Sequence, residues 1–272
     1  RNRNNAMGNS PLAGCASAHG SSVDRERCQR EVAALIAIME ATRQQADRGL
    51  RVASGMAAPS FASAGPQAPL TWRFVSRSLR EVVLAGTNLS IPGAAALGRA
   101  IKHVRGLQLL DVRDCGLDAG VMESFCSPLG EAELPRGLET FWIGGNWNSA
   151  GEDCSKAICE ALVGGDARAL TSLDLENSIM PRGGQYIAEM LARLQPPLTD
   201  LNLADSRLGG PGARFLRDAM ARSPLRQLRR LDLFACHVGP RGAEAVAAML
   251  GAGDMPVSEL YLADNAIEDQ GR

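Results

Sequence analysis

The chain has 272 residues, 45% of them hydrophobic but only 4% aromatic, and a formal net charge of -1. That length can bury a large core, and the near-neutral balance provides no global field to draw nucleic acid or a membrane surface. No apolar run approaches the roughly eighteen or more residues of a membrane-spanning helix.

Residues 1–21 carry no acidic side chain and are rich in Asn, Ser, Ala and Gly, a composition that predicts a disordered or tethering tail. Two sharper readings compete with it. An organelle transit extension would need an amphipathic Arg-rich helix, which is absent. N-myristoylation at Gly8, with Met7 as the start, would need Ser or Thr where Leu12 stands. Residues 22–52 predict an N-terminal helix, with Val32, Leu35, Ile36, Met39 and Leu50 on one stripe and Arg25, Glu26, Arg30, Glu31 and Arg43 elsewhere. Such a helix would cover the open N-terminal end of the C-terminal domain or dock on another chain. Residues 53–69 form an Ala/Ser/Pro/Gly linker.

From residue 70 the chain is periodic. The spacing L-x-x-L-x-L-x-x-(N/C/S/T)-x-L starts at Leu79, Leu107, Leu138, Leu170, Leu198, Leu228 and Val257, between 28 and 32 residues apart. The stretch from Leu198 to Met220 illustrates one unit. Leu201 and Leu203 point to one side of a short strand, and Gly209-Gly210-Pro211-Gly212 makes a turn. A helix with Phe215, Leu216 and Met220 on one stripe follows. Corresponding stripes are Leu97 with Ile101, Ile158 with Leu162, Ile187 with Leu191, and Val246 with Leu250. A unit this small cannot bury both apolar faces alone, so it must stack on its copies. Ser127-Pro128-Leu129-Gly130 through Gly137 is expected to be an extended connection into the third unit, and Leu194 to Pro197 a forced turn before the fifth. The seventh unit is incomplete, which suggests that the natural chain continues or that a neighbour covers its end.

The pattern resembles the leucine-rich-repeat family, in the ribonuclease-inhibitor-type subclass, whose second half carries an early Gly as Gly93, Gly212, Gly242 and Gly271 do here. The resemblance implies an α/β fold: a curved leucine-rich-repeat solenoid over residues 70–272, with a parallel β-sheet on the concave face and helices on the convex face. It implies binding of protein partners. It also implies that the ninth repeat position, held by Cys115 and Cys236 among others, faces inward and bonds the neighbouring loop.

A search for chemistry returns little. His19, His103 and His237 lack spaced partners for a metal site or a triad. Gly144 to Gly151 is glycine-rich but lacks the Lys of a phosphate loop, and it coincides with a repeat turn. No enzyme, cofactor, metal or small-molecule substrate is expected. Seven cysteines without a C-x-x-C predict a reducing, intracellular compartment.

The strand pattern turns repeat positions three, five, seven and eight onto the concave face. There Asp111, Asp114, Asp174, Glu176, Asp200, Asp205, Asp232, Glu259 and Asp264 accompany Trp142, Phe234 and Tyr261. Asp at position five belongs to the family's general pattern, so Asp111, Asp174 and Asp232 can be scaffold habit. Trp142 is the leading anchor, because Gly144 and Gly145 beside it would leave room for a partner. The expected function is a non-enzymatic protein-protein interaction module, a scaffold or accessory subunit of a larger assembly. It would bind a basic, partly apolar partner surface through the acidic strip.

Two alternatives stand beside that expectation. One is regulation of a small GTPase in the manner of Ran GTPase-activating proteins, through an exposed Asn such as Asn146, Asn148 or Asn177. The other is a purely structural spacer. Arg214, Arg217, Arg222, Arg226, Arg229 and Arg230 cluster between the fifth and sixth units, and as a run they point to a solvated face rather than to nucleic acid. Contact with a membrane would require lipidation or a complex.

Overall fold

The computed structural model describes residues 79–131, 133–146, 152–179 and 182–267; the expected tail, N-terminal helix and linker lie outside the described residues. Strands and helices alternate: β1 (Glu81–Val83), α1 (Ile91–Ile101), β2 (Leu109–Asp111), α2 (Ala119–Gly130), β3 (Thr140–Trp142), α3 (Glu152–Gly164), β4 (Ser172–Asp174), α4 (Gly183–Leu194), β5 (Asp200–Asn202), α5 (Gly209–Arg222), β6 (Arg230–Asp232), α6 (Gly239–Gly251) and β7 (Glu259–Tyr261). The seven strands form one parallel sheet in sequence order. Their register never slips: Glu81, Leu109, Thr140, Ser172, Asp200, Arg230 and Glu259 make one column, and the columns beside it keep step. Each strand therefore occupies positions three to five of its repeat.

Two spacings bend this array. Paired strands sit about 4.8 Å apart, whereas packed helices need about 8–10 Å. With one strand and one helix per repeat, the helical layer is the longer one. The solenoid curves with the sheet on its concave side.

The core lies between the layers. Position four supplies Val82, Leu110, Phe141, Leu173, Leu201 and Leu231, and position six supplies Leu84, Val112, Ile143, Leu175, Leu203 and Leu233, all buried. From the helices come Leu97 and Ile101, Met122 and Phe125, Ile158 and Leu162, Ile187 and Leu191, Leu216 and Met220, and Val246 and Met249. Each such side chain contributes about 1.5–3 kcal/mol on burial.

Position nine closes the loops beneath the sheet. Asn146 Oδ1 accepts from Cys115 N–H (2.8 Å) and Leu117 N–H (3.3 Å), while its Nδ2 donates to Val112 O (2.8 Å) and Ile143 O (2.7 Å). Asn265 repeats the arrangement on Cys236 and Val238. The Cys115 thiol donates to Leu84 O (3.1 Å) and the Cys236 thiol to Leu203 O (2.9 Å). Burial pushes both thiols up to about 12, so they stay protonated donors.

Three local expectations change. Gly209, Gly210, Pro211 and Gly212 are the first turn of α5 rather than a turn before it. Ser127, Pro128, Leu129 and Gly130 are the last turn of α2 rather than part of a connection. Pro128 removes an N–H from that helix, yet its ring is buried against Gly98, whose missing side chain makes the space. Phe215 is not on the buried stripe of α5: it is 39% exposed, while Leu216 and Met220 are buried. No helix among the described residues is long and apolar enough to cross a membrane.

Candidate partner-binding face

Positions three and five of every strand point away from the core, so the concave face is a grid of seven rows. At position five, Asp111, Asp174 and Asp232 each turn one carboxylate oxygen onto a backbone N–H two residues ahead. Those donors are Arg113 (3.1 Å), Glu176 (2.9 Å) and Phe234 (3.1 Å). Asn202 does the same to Ala204 at 3.0 Å. Where position five is Asp or Asn, its side chain thus pins the exit of the strand, and an amide oxygen makes the same bond as a carboxylate.

Two arginines also serve these three aspartates, Arg113 for Asp111 and at longer range Asp174, and Arg230 for Asp232. Arg113 makes a two-pronged contact with Asp111, Nε to Oδ1 at 2.9 Å and NH2 to Oδ2 at 2.8 Å, and its NH1 lies 4.0 Å from Asp174. That hydrogen bond raises the Arg113 pKa above its ordinary value. The guanidinium also lies over the Trp142 ring, 4.5 Å from its centroid, and Trp142 Nε1 donates to Ser172 Oγ at 3.0 Å. The motif recurs farther along the sheet, from β6 to β7: Arg230 reaches Asp232 at 3.5 Å and covers Tyr261 at 5.0 Å. In both cases one arginine joins an aspartate of its own repeat to an aromatic ring of the next. The i, i+2 spacing of Asp111 with Arg113, and of Arg230 with Asp232, was the signal for these pairs.

Position eight has a backbone explanation. Gly86, Asp114, Gly145, Asn177, Asp205, Ala235 and Asp264 all hold positive φ, from 48° to 75°. Gly, Asn and Asp tolerate this left-handed conformation best. Asp114, Asp205 and Asp264 are therefore accounted for by the turn, although all three are exposed and none has a cation within ion-pair distance among the described residues. Glu176, Asp200 and Glu259 occupy positions with neither explanation. Their hydrogen-bond partners are neutral: Asn202 Nδ2 (3.2 Å), Thr199 Oγ1 (2.6 Å) and Tyr261 OH (3.5 Å).

The nine acidic residues thus divide into three within ion-pair distance of an arginine and six that form no ion pair among the described residues, although Arg230 lies between Asp200 and Glu259 in the position-three column. The aromatics divide too. Phe234 and Tyr261 are 37% and 42% exposed, on adjacent repeats. Trp142 is half-buried under Arg113, which corrects its expected lead. Gly144 and Gly145 do not leave a vacancy either. A side chain at Gly144 would meet Asp174 Oδ1 at 2.8 Å and Glu176 Cβ at 3.0 Å, and one at Gly145 would strike Asp114. Asn146 is buried in the position-nine ladder and cannot be the exposed residue of a GTPase regulator. Asn177 is a left-handed turn residue, and Asn148 lies outside the described residues.

A family model described as Leucine Rich repeat matches residues 226–247. Over 197 residues, 72% of this chain, the sequence is 25% identical to the ribonuclease inhibitor of Sus scrofa. It is 26% identical over 197 and 198 residues to two human proteins, NACHT, LRR and PYD domains-containing proteins 14 and 12. The alignments span 41%, 17% and 18% of those relatives, less than half of each.

Proposed function

We propose that this chain, a leucine-rich-repeat protein of the ribonuclease-inhibitor type, is a non-enzymatic interaction module, a scaffold or accessory subunit that holds a basic, partly apolar partner surface on its concave face. The observation that carries this is the composition of that face after its internal pairs are removed. Asp114, Glu176, Asp200, Asp205, Glu259 and Asp264 form no ion pair among the described residues and outnumber the two arginines of the face, with Phe234 and Tyr261 exposed among them. The carboxylates would raise association rate and set specificity, and the aromatics would supply contact area. Asp111, Asp174, Asp232 and Trp142 belong to the same face but act mainly by holding Arg113 and Arg230 in place. Buried free thiols, with Cys115 and Cys236 spent as hydrogen-bond donors, favour a reducing intracellular compartment.

The test is cross-linking and co-purification of the full chain from native extract. It compares the parent, Glu176→Lys with Asp200→Lys and Asp205→Lys, and Phe234→Ala with Tyr261→Ala. Both variants are expected to lose the same basic partner, the first with a strong salt dependence in the parent interaction. A partner retained at parental affinity by both, or a monodisperse chain with no partner, refutes the assignment.

A further inference from the structure

The arginines between the fifth and sixth repeats have no role on the concave face, with one exception. Residues 214–230 contain six arginines and one acid, Asp218. Arg230 turns to the sheet side, where Asp232 and Tyr261 hold it. The other five sit on α5 and the loop after it. Arg217 pairs with Asp218 at 2.7 Å and Arg226 with Asp254 at 3.3 Å, both exposed pairs that contribute little and can be exchanged. Arg214, Arg222 and Arg229 are exposed with no ion pair among the described residues. Five arginines against two carboxylates leave a local surplus of three positive charges on a chain of net charge -1.

Beside them a cleft of about 190 Å³ opens between the C-terminal halves of α5 and α6. Its walls are apolar: Met220 and Pro224 on one side, Ala248 and Met249 on the other, with Met255 from the loop before β7. Arg217 and Asp254 stand at its rim. An apolar cavity of about 150 Å³ suffices for benzene, so one Phe or Leu side chain fits here. Methionine walls adapt to either.

We propose that this flank is a second docking surface, for an acidic peptide segment that inserts one large apolar side chain between α5 and α6. Charge complementarity selects the acidic side chains of the ligand, and the cleft selects the anchor. A single-stranded nucleic acid would match the charge but not the cleft, because stacking platforms are aromatic and no lining residue is. The surface lies on the helical side, so it leaves the concave face open for its own partner.

The experiment is fluorescence anisotropy on the full chain with three labelled probes. These are a twelve-residue Asp/Glu peptide with one central Phe, the same peptide with Ser in place of Phe, and a single-stranded oligonucleotide of equal charge. The Phe peptide is expected to bind at least ~10-fold more tightly than its Ser twin, as burial of one large side chain implies. Ala248→Trp, which fills the cleft from an exposed position, is expected to abolish that difference. Arg222→Gln with Arg229→Gln is expected to weaken both peptides. Glu81→Gln, on the concave face at the far end of the sheet, leaves them unchanged. Equal affinity for the Phe and Ser peptides, indifference to Ala248→Trp, tighter binding of the oligonucleotide, or loss in the concave-face variant each overturns the proposal. None of those outcomes bears on whether the concave face holds a basic partner.

Discussion

At the scale of single residues, Asp174 shows how the repeat uses a charge it does not need. Its Oδ1 accepts the Glu176 N–H, and the cation nearest it, Arg113, stays at 4.0 Å while serving Asp111 more closely. Burial, reinforced by repulsion from Glu176 and Asp111, pushes its carboxyl up to about 6; the backbone N–H and Arg113 offset this only in part. An unfolded aspartate titrates near 3.9, so between about pH 4 and pH 6 the folded chain binds the proton more tightly. Stability contributed there falls as pH rises through that window and stays lower above it. Asn202 fills the same position in β5 and makes the same backbone bond without charge. Asp174→Asn is therefore expected to stabilise the chain at pH 7.5 by about 1–3 kcal/mol, with the gain shrinking as pH falls toward 4. Denaturation midpoints at pH 7.5 and 4.5 check it; an equal effect at both pH values, or a loss at pH 7.5, contradicts it. Part of this logic was legible beforehand. Six of the seven position-eight residues are Gly, Asn or Asp, the types that accept left-handed backbone, and Ala235 is the exception. Taken as surface charge alone, Asp114, Asp205 and Asp264 looked more purposeful than their backbone makes them.

At the scale of elements, small residues set how closely the helices stack. A Cβ on Gly184 in α4 would come within 2.7 Å of Gly212 Cα in α5, and one on Gly242 in α6 within 3.0 Å of Gly210 Cα. Backbone cannot step aside as a side chain can, so these contacts require glycine despite its cost inside a helix. Gly184→Ala is expected to destabilise by about 1–3 kcal/mol, the usual consequence of overpacking. Gly251→Ala, where nothing lies within 4 Å, is expected to be neutral or stabilising by up to about 1 kcal/mol. Similar midpoints for the two variants would show that the helices can part at little cost. The early glycine was visible as a recurring letter. What it touches was not, because the contact joins residues one repeat apart. For the same reason Pro128 suggested a chain break: from sequence alone, a buried ring in the last turn of α2 cannot be told from a helix stop.

At the scale of the whole molecule, each strand pairs and each helix packs with its immediate neighbours in sequence, and one parallel sheet runs through all seven repeats. That made the architecture the most legible feature of the sequence. A single spacing repeated seven times specifies strand, helix and stacking direction together, whereas the face chemistry depends on which side chains meet across repeats, as Arg113 and Trp142 do. Neighbour-only coupling has a thermodynamic consequence. Leu201 is buried in β5, between Leu173 of β4 and Leu231 of β6 in the same column. Truncating it to alanine is expected to cost about 2–5 kcal/mol, and that cost falls on the two interfaces of the fifth repeat. The blocks on either side then stabilise each other less, and the described chain divides into four strands before β5 and two after it. Leu201→Ala is therefore expected to broaden the denaturant transition and lower its apparent slope, rather than only shift its midpoint. In hydrogen exchange, β6 and β7 should lose protection before β2 and β3, because the smaller block keeps fewer interfaces. An unchanged slope with uniform loss of protection would mean that the solenoid melts as one unit and that coupling reaches beyond nearest neighbours.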